Sequence, residues 1–473
     1  MPGFMAYGMP SEPNPAIATH SYWGSKLVEA IKNGSVPMDR IDDMVTRIIS
    51  TYYKQGQDKL NYPKTEKLKQ NGSVAEDHYR LIREVGAASM VLLKNFNDTL
   101  PLPPPMQLQS ILVLGSDASA NPQGPNSCVD RACNTGTLAL GWGSGTSEFP
   151  YLIAPDTAIH KYVIEENSNI KYRAISSDVN YSQIRKAALQ ADVALVHVSA
   201  DSGEGYLTVE GNAGDRNNLS LWHSGDELIL KTAEVCQNVV VIVHAVGPVD
   251  MERWIDHPNV TAVLLAGLPG QETGNSEIDV LWGKVNPSGR LPFTIAKSRK
   301  DYPADVLYNS TMAVPQITYS ERMEIDYRHF DTQNITPRFE FGFGLSYSKF
   351  DYQSLVIHSA AQSQNTMGNL FEDVVKVEFE LTNVGRLPGH EVTQLYLGFP
   401  SQIHEPPKVL RGFERVYLNC QQREKVVLNL RRKDLSYWDV ASQRWLIPHG
   451  QFKVMIGSSS RRILLEDVLN IAI

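Results

Sequence analysis

Residues 192–206 read DVALVHVSADSGEGY. The apolar run Ala194 to Val198 breaks into a loop holding Asp201 and Glu204, with Glu210 and Asp215 further on and Gly203 and Gly205 flanking Glu204. A short β-branched-rich run bounded by turns is the pattern of a strand buried on both faces. SILVLGSD (110–117), NVVVIVHAVGPV (238–249) and VTAVLLAG (260–267) repeat it. Helical patterns, SQIRKAALQA (182–191) and GDELILKTAEVC (225–236), lie between them, and HYRLIREVGAASMVLLKN (78–95) reads as a helix running into a strand. Such alternation over 76–297 predicts an α/β sandwich with a largely parallel sheet covered on both sides. His197 and His244 fall inside strands and read as satisfied core histidines.

Working outward, residues 22–56 predict two helices, with Leu27, Val28 and Ile31 and then Ile41, Met44, Val45, Ile48, Ile49 and Tyr52 at helical spacing. Pro37 suits the first turn of the second helix. Asp39, Asp42 and Asp43 read as solvated carboxylates near its start. Residues 57–75 are polar and turn-rich, a linker. Residues 298–345 predict an extended connection ending in EFGFGLSY. From 346 to 473 the pattern alternates: Val375, Val377, Phe379 and Leu381 are apolar and Lys376, Glu378 and Glu380 polar. Asn383-Val384-Gly385 then turns the chain. This predicts a β-sandwich of immunoglobulin or fibronectin type.

The formal net charge is −8 and no basic tract occurs, which argues against nucleic acid as a partner. No uninterrupted apolar run is long enough to span a bilayer. The opening MPGFMAYGMPSEPNP has neither a basic nor an apolar region of a signal peptide. Yet N-x-S/T sequons stand at Asn33, Asn71, Asn97, Asn180, Asn218, Asn259, Asn309 and Asn334, which points to the secretory pathway. A short disulfide between Cys128 and Cys133 fits NSCVDRACN (126–134), two free thiols being the alternative. Cys236 and Cys420 are left unpaired. A secreted, extracellular body without a secretion signal leads us to expect an incomplete N-terminus.

Glu204 lies just past a strand, where ligands bind in α/β sheets. Its flanking glycines allow a sharp turn. An aromatic neighbour, Tyr206, is expected to keep a carboxyl protonated to higher pH, as a general acid needs. A solvated loop remains the plain alternative. Asp201, Glu204, Glu210 and Asp215 lack the spacing of a calcium loop, and no His or Cys cluster accompanies them, so no metal is expected. In LGWGSGTSEFPYLIAP (140–155), Trp142 offers a flat face and Ser144 a hydroxyl, the chemistry of sugar recognition. No strand runs directly into it, which disfavours a nucleophile elbow. GSDASANPQGPN (115–126) lacks the glycine spacing of a phosphate loop.

The chain closely resembles the C-terminal part of fungal glycoside hydrolase family 3 β-glucosidases. The resemblance is carried by TLALGWGSGTSEFPYLIAP, ADSGEGYLTVEGNAGDRNNLSLW, VIVHAVGPV, HPNVTAVLLAGLPGQETGNS, LWGKVNPSGRLPFT, IDYRHFD, FEFGFGLSY and PPKVLRGFERV. It implies a (β/α)8 barrel, an α/β sandwich, a connecting segment and a fibronectin III-like domain. It implies retaining hydrolysis of terminal β-D-glucose from cellobiose and other β-glucosides, without cofactor or metal. Residue by residue, Glu204 matches the acid/base, Ser144 a residue touching the sugar in the −1 subsite, Tyr206 an aromatic at the +1 subsite, and Cys128 and Cys133 the family's short disulfide. The family's nucleophile sits in an S-D-W motif, which this sequence lacks. Residues 1–56 resemble only the last barrel helices, so Asp39, Asp42 and Asp43 cannot replace it. The expected protein is therefore a β-glucosidase whose nucleophile lies upstream of Met1, inactive alone and prone to self-association where the barrel would pack. Two rivals remain: a non-catalytic sugar-binding or structural remnant, and an exo-acting β-xylosidase-type member.

Overall fold

The computed structural model describes residues 24–62, 76–167, 169–309, 311, 315–360 and 369–472. The opening stretch, Asn71 and most of the predicted linker lie outside them. The chain divides into two units, residues 1–74 and 75–473.

The first unit holds α1 (Ser25–Lys32) and α2 (Met38–Lys54). Pro37 precedes α2 in extended conformation, where its missing N–H costs nothing. Asp43 pairs with Arg40 and Arg47 on one face of α2, and the Arg47 bond above all lowers its pKa. Neither helix contains a buried residue, and Val45, Ile48, Ile49 and Tyr53 of α2 stand exposed.

In the second unit, α3 (His78–Ser89) leads into β1 (Val91–Asn95), followed by β2 (Ser110–Leu114), α4 (Pro155–Glu166), β3 (Lys171–Ile175), α5 (Tyr181–Ala188) and β4 (Val193–Ala200). A small hairpin, β5 (Thr208–Val209) and β6 (Asn212–Ala213), precedes α6 (Gly225–Ala233), β7 (Val239–Ala245), β8 (Val260–Leu265) and α7 (Thr273–Leu281). The sheet order is β1-β8-β7-β4-β2-β3, parallel throughout except for β1. Every residue of β4, β7 and β8 is buried, because helices cover both faces. Leu112, Val196 and Val241 face Ile184 of α5 and Leu228 and Ile229 of α6. Ile111, Leu195 and Ile242 face Ala87 of α3, Ile159 of α4 and Ile278 of α7.

The connection over 298–345 is not uniformly extended. It contains α8 (Tyr327–Thr332), anchored because Tyr327 and Phe330 are buried. The connection ends where Leu345 donates its N–H to Leu92 of the edge strand β1. The alternating region then forms β9 (Phe350–Ser359), β10 (Asp373–Asn383), β11 (Gly389–Gly398), β12 (Val409–Leu418), β13 (Arg423–Arg431), β14 (Tyr437–Asp439), β15 (Arg444–Leu446), β16 (Gly450–Gly457) and β17 (Ile463–Ile471). Sheets β13-β10-β9 and β12-β11-β16-β17 enclose one core, with Val375, Val377, Phe379 and Leu381 inside as their alternation requires. Arg290 from the α/β part is fixed to Glu391 of β11 by a buried ion pair of 2.9 Å, and the Tyr352 hydroxyl donates to the same carboxylate at 2.8 Å.

Candidate active site

Two loops meet beyond the carboxyl end of β4. One carries Trp142 and Ser144, the other Glu204 and Tyr206, and a parallel bridge joins Trp142 to Gly203. A Cβ at position 203 would lie 2.3 Å from the Trp142 carbonyl oxygen and 2.5 Å from its indole, so this approach requires glycine. The Trp142 indole N–H donates to the Glu204 carbonyl at 3.3 Å. Trp142 does not offer the flat face that its sequence suggested. It is only 4% exposed, and its ring packs 5.9 Å from that of Trp222 beneath the loops. Tyr206, half exposed, is the aromatic that reaches solvent.

The Glu204 carboxylate stands exposed in the grip of a single residue. The Ser144 N–H donates to Oε2 at 2.7 Å and its hydroxyl to Oε1 at 2.9 Å. Gly143 makes this possible at φ +130°, a conformation closed to most side chains. The Ser144 amide, then its hydroxyl, hold Glu204 below the ordinary carboxylate range. The expectation of a raised pKa is thus corrected. Donors to the charged form outweigh local desolvation, and the Tyr206 hydroxyl turns away to donate to Asp130 Oδ2 at 2.8 Å.

The other acidic residues of the stretch do not join Glu204. Asp201 is buried, accepts the Ser202 N–H at 2.8 Å and is pushed up to about 7 by burial, against the pull of that N–H and of Arg216. Glu210 engages His223 Nε2, and Asp215 is exposed. Among the described residues no group of His, Cys, Asp or Glu could hold a metal. Cys128 and Cys133 are joined, with their Cα atoms 5.9 Å apart; Cys236 is free and buried, Cys420 free and exposed.

His197 and His244 are core residues, but with carboxylate partners that the sequence did not reveal. His197 Nε2 meets Glu277 Oε2 at 2.8 Å, and His244 Nδ1 meets Asp117 Oδ2 at 2.6 Å. His244 Nε2 lies 3.1 Å from Glu277 Oε1. Burial alone would lower the His244 pKa, yet Asp117 and Glu277 carry it up to about 10. Burial would raise Glu277, yet the two histidines pull it down to about 2. Asp117 Oδ1 also accepts the Leu138 N–H at 2.8 Å, which ties the network to the chain leading into the Trp142–Ser144 loop. Asp130 is the other residue that went unnoticed; its only sequence signal is its place between two cysteines.

Residues 90–347, just over half the chain, match the model of the glycosyl hydrolase family 3 C-terminal domain, and residues 391–460 that of a fibronectin type III-like domain. The curated "Probable beta-glucosidase L" of Aspergillus terreus is 47% identical over 460 residues, covering 94% of this chain and 61% of that protein. "Probable beta-glucosidase A" of Neosartorya fischeri is 38% identical, covering 95% and 63%. The solved beta-D-glucoside glucohydrolase from Trichoderma reesei superposes with a TM-score of 0.86 at 43% identity, over 95% of this chain and 63% of that one. Beta-glucosidase D2-BGL from Chaetomella raphigera gives 0.88 at 41%, over 98% and 65%. The chain therefore spans less than two thirds of the length of these relatives.

Proposed function

The chain belongs to glycosyl hydrolase family 3, and from that premise we propose that it is the acid/base-bearing part of a retaining β-glucosidase acting on terminal β-D-glucosyl residues. The observation that carries this is Glu204, an exposed carboxylate beyond a parallel strand, held in one orientation by two Ser144 donors. In a retaining enzyme such a group first protonates the leaving oxygen and then, as carboxylate, takes a proton from water. The Ser144 bonds favour the second state. For the first, a glucosyl unit bound against Ser144 takes over its donors, and the desolvated carboxyl regains affinity for a proton. Tyr206 flanks the leaving-group side.

Retention also requires a nucleophilic carboxylate about 5–5.5 Å from the acid/base. The 473 residues contain no S-D-W stretch, and we assign the nucleophile to a segment that the longer relatives possess. The same proposal makes the isolated chain inactive. The sequons and the Cys128–Cys133 bridge support an extracellular, glycosylated protein, checked by a mass shift on glycosidase treatment of native material.

The decisive test is hydrolysis of p-nitrophenyl β-D-glucoside by the 473-residue chain and by a chimera carrying the N-terminal part of the Aspergillus terreus relative, each with Glu204→Gln alongside. We expect an inactive chain and an active chimera that Glu204→Gln slows by about 10²–10⁴-fold. Turnover by the isolated chain would place the second carboxylate within these residues. Turnover by the chimera that is indifferent to Glu204→Gln would sink the acid/base assignment, and a sound chimera without turnover would favour a non-catalytic remnant.

A further inference from the structure

The loop closed by Cys128 and Cys133, with four residues between them, touches both halves of the site through one residue. The Asp130 carbonyl accepts the N–H of Gly143, next to Ser144, at 3.0 Å. The Asp130 carboxylate accepts the Tyr206 hydroxyl at 2.8 Å. Asp130 and Arg131 both lie in the left-handed region, at φ +47° and +57°, which side-chain-bearing residues hold only when their surroundings impose it.

Those surroundings are well defined. The disulfide ties the loop at both ends. The Arg131 guanidinium donates to Asn126 Oδ1 at 2.8 Å and to the Ser147 carbonyl at 2.7 Å, and lies 4.0 Å over the Phe149 ring. One anchored loop therefore reaches the Ser144 segment by a carbonyl and the Glu204 segment by a carboxylate. Tyr206, two residues from Glu204, is half exposed and has no other hydrogen-bond partner for its hydroxyl among the described residues.

We propose that Asp130, presented by the Cys128–Cys133 loop, is a positioning residue for the leaving-group side of the site: its carboxylate sets the Tyr206 ring and its carbonyl sets the segment that holds Glu204. This deepens the assignment of Glu204 as acid/base and rests on it for its catalytic meaning. The bracket itself is a matter of structure and can be measured without turnover, so its failure is separable from the failure of that assignment.

The Tyr206 phenol is pushed up to about 12, first by local desolvation and then by Asp130. The test uses the whole chain labelled with 3-fluorotyrosine, whose phenol titrates lower, with Tyr206→Phe to assign the ¹⁹F resonance. Asp130→Asn is expected to bring the Tyr206 titration down by a unit or more, and Asp130→Glu to restore most of it. Hydrogen exchange supplies the second readout. Asp130→Asn keeps the carbonyl, so exchange at Gly143 is expected to stay as in the parent. The double variant Cys128→Ser, Cys133→Ser is expected to raise exchange several-fold in both the 140–147 and 203–214 segments and to leave the sheet strands unchanged. An unmoved Tyr206 titration in Asp130→Asn, loosening of both segments by that single variant, or unchanged exchange without the disulfide would each overturn the proposal.

Discussion

Two glutamates of this molecule are held in opposite ways. Glu204 stands in solvent and is oriented by the neutral donors of Ser144. Glu277 is fully buried on α7 and lies between His197 and His244. A carboxylate meant to exchange protons with a ligand needs partners that can let go. A carboxylate sealed in a core needs opposite charge around it, because there is no water to replace a lost partner. Both serve the same corner of the fold: the buried network steadies, through Asp117 and Leu138, the chain that runs on to Ser144.

The largest effect is expected where the contrast is broken on its buried side. Glu277→Leu leaves His197 and His244 without the carboxylate between them, and removing one partner of a buried ion set costs about 3–5 kcal/mol. The urea midpoint followed by tryptophan fluorescence reads it; an unchanged midpoint would mean that the Glu277 contacts add nothing net and the contrast is false.

The pH dependence of stability comes next. Glu277 titrates near 2 in the folded chain against 4.5 for an ordinary glutamate, so its contribution is present above about 4.5 and is lost as pH falls towards 2. His244 is raised from 6.5 to about 10, so its contribution is present below about 6.5 and is lost as pH rises through 10. The network is therefore most stabilising between about 4.5 and 6.5. Glu277→Leu should flatten the urea midpoint against pH outside that window; an equally curved profile would assign the dependence to other groups.

Gly203→Ala sharpens the exposed side. Its Cβ would strike the Trp142 carbonyl, and overpacking of this kind costs about 1–3 kcal/mol. Opening is expected to be confined to the 140–146 and 201–214 segments in hydrogen exchange, and spread of the effect into β4 and β7 would show that loop and sheet are not separable. The smallest effect belongs to Ser144→Ala. It removes the hydroxyl but not the N–H donor, so Glu204 should titrate somewhat closer to the ordinary value in ¹³C-carboxyl NMR, with no change in the urea midpoint. No shift would mean that the N–H alone holds the carboxylate.

The parallel sheet was legible because a strand buried on both faces must be apolar along most of its length, as β4 and β7 are apart from His197, Ser199 and His244. The sandwich was legible because β10 alternates apolar and polar residues and sends Val375, Val377, Phe379 and Leu381 into the core, although Glu378 between them is buried as well. Glu204 and Ser144 were visible as chemistry-bearing residues in glycine-rich loops, yet their contact was not, since it depends on the turn at Gly143. Trp142 was misjudged because a glycine opposite an indole leaves no trace in the composition of either loop. The ion network was illegible for a plainer reason: His197 and Glu277 are 80 residues apart and His244 and Asp117 are 127 apart, and no local pattern couples them. The helix α8 escaped because six residues are too few for periodicity to declare itself.

The Arg290–Glu391 pair has a practical corollary for anyone dividing this gene. A fragment ending after Tyr347 would contain the whole α/β sheet, yet it would carry a guanidinium stripped of its counter-charge and newly opened to water. The complementary fragment would inherit Glu391 with the Tyr352 hydroxyl and the field of Arg462 but without its ion-pair partner. The two folds look modular on a diagram, but they are joined by charge at Arg290–Glu391 and again where Lys408 and Arg461 meet Asp331, and soluble expression should demand that they be cut and moved as one piece.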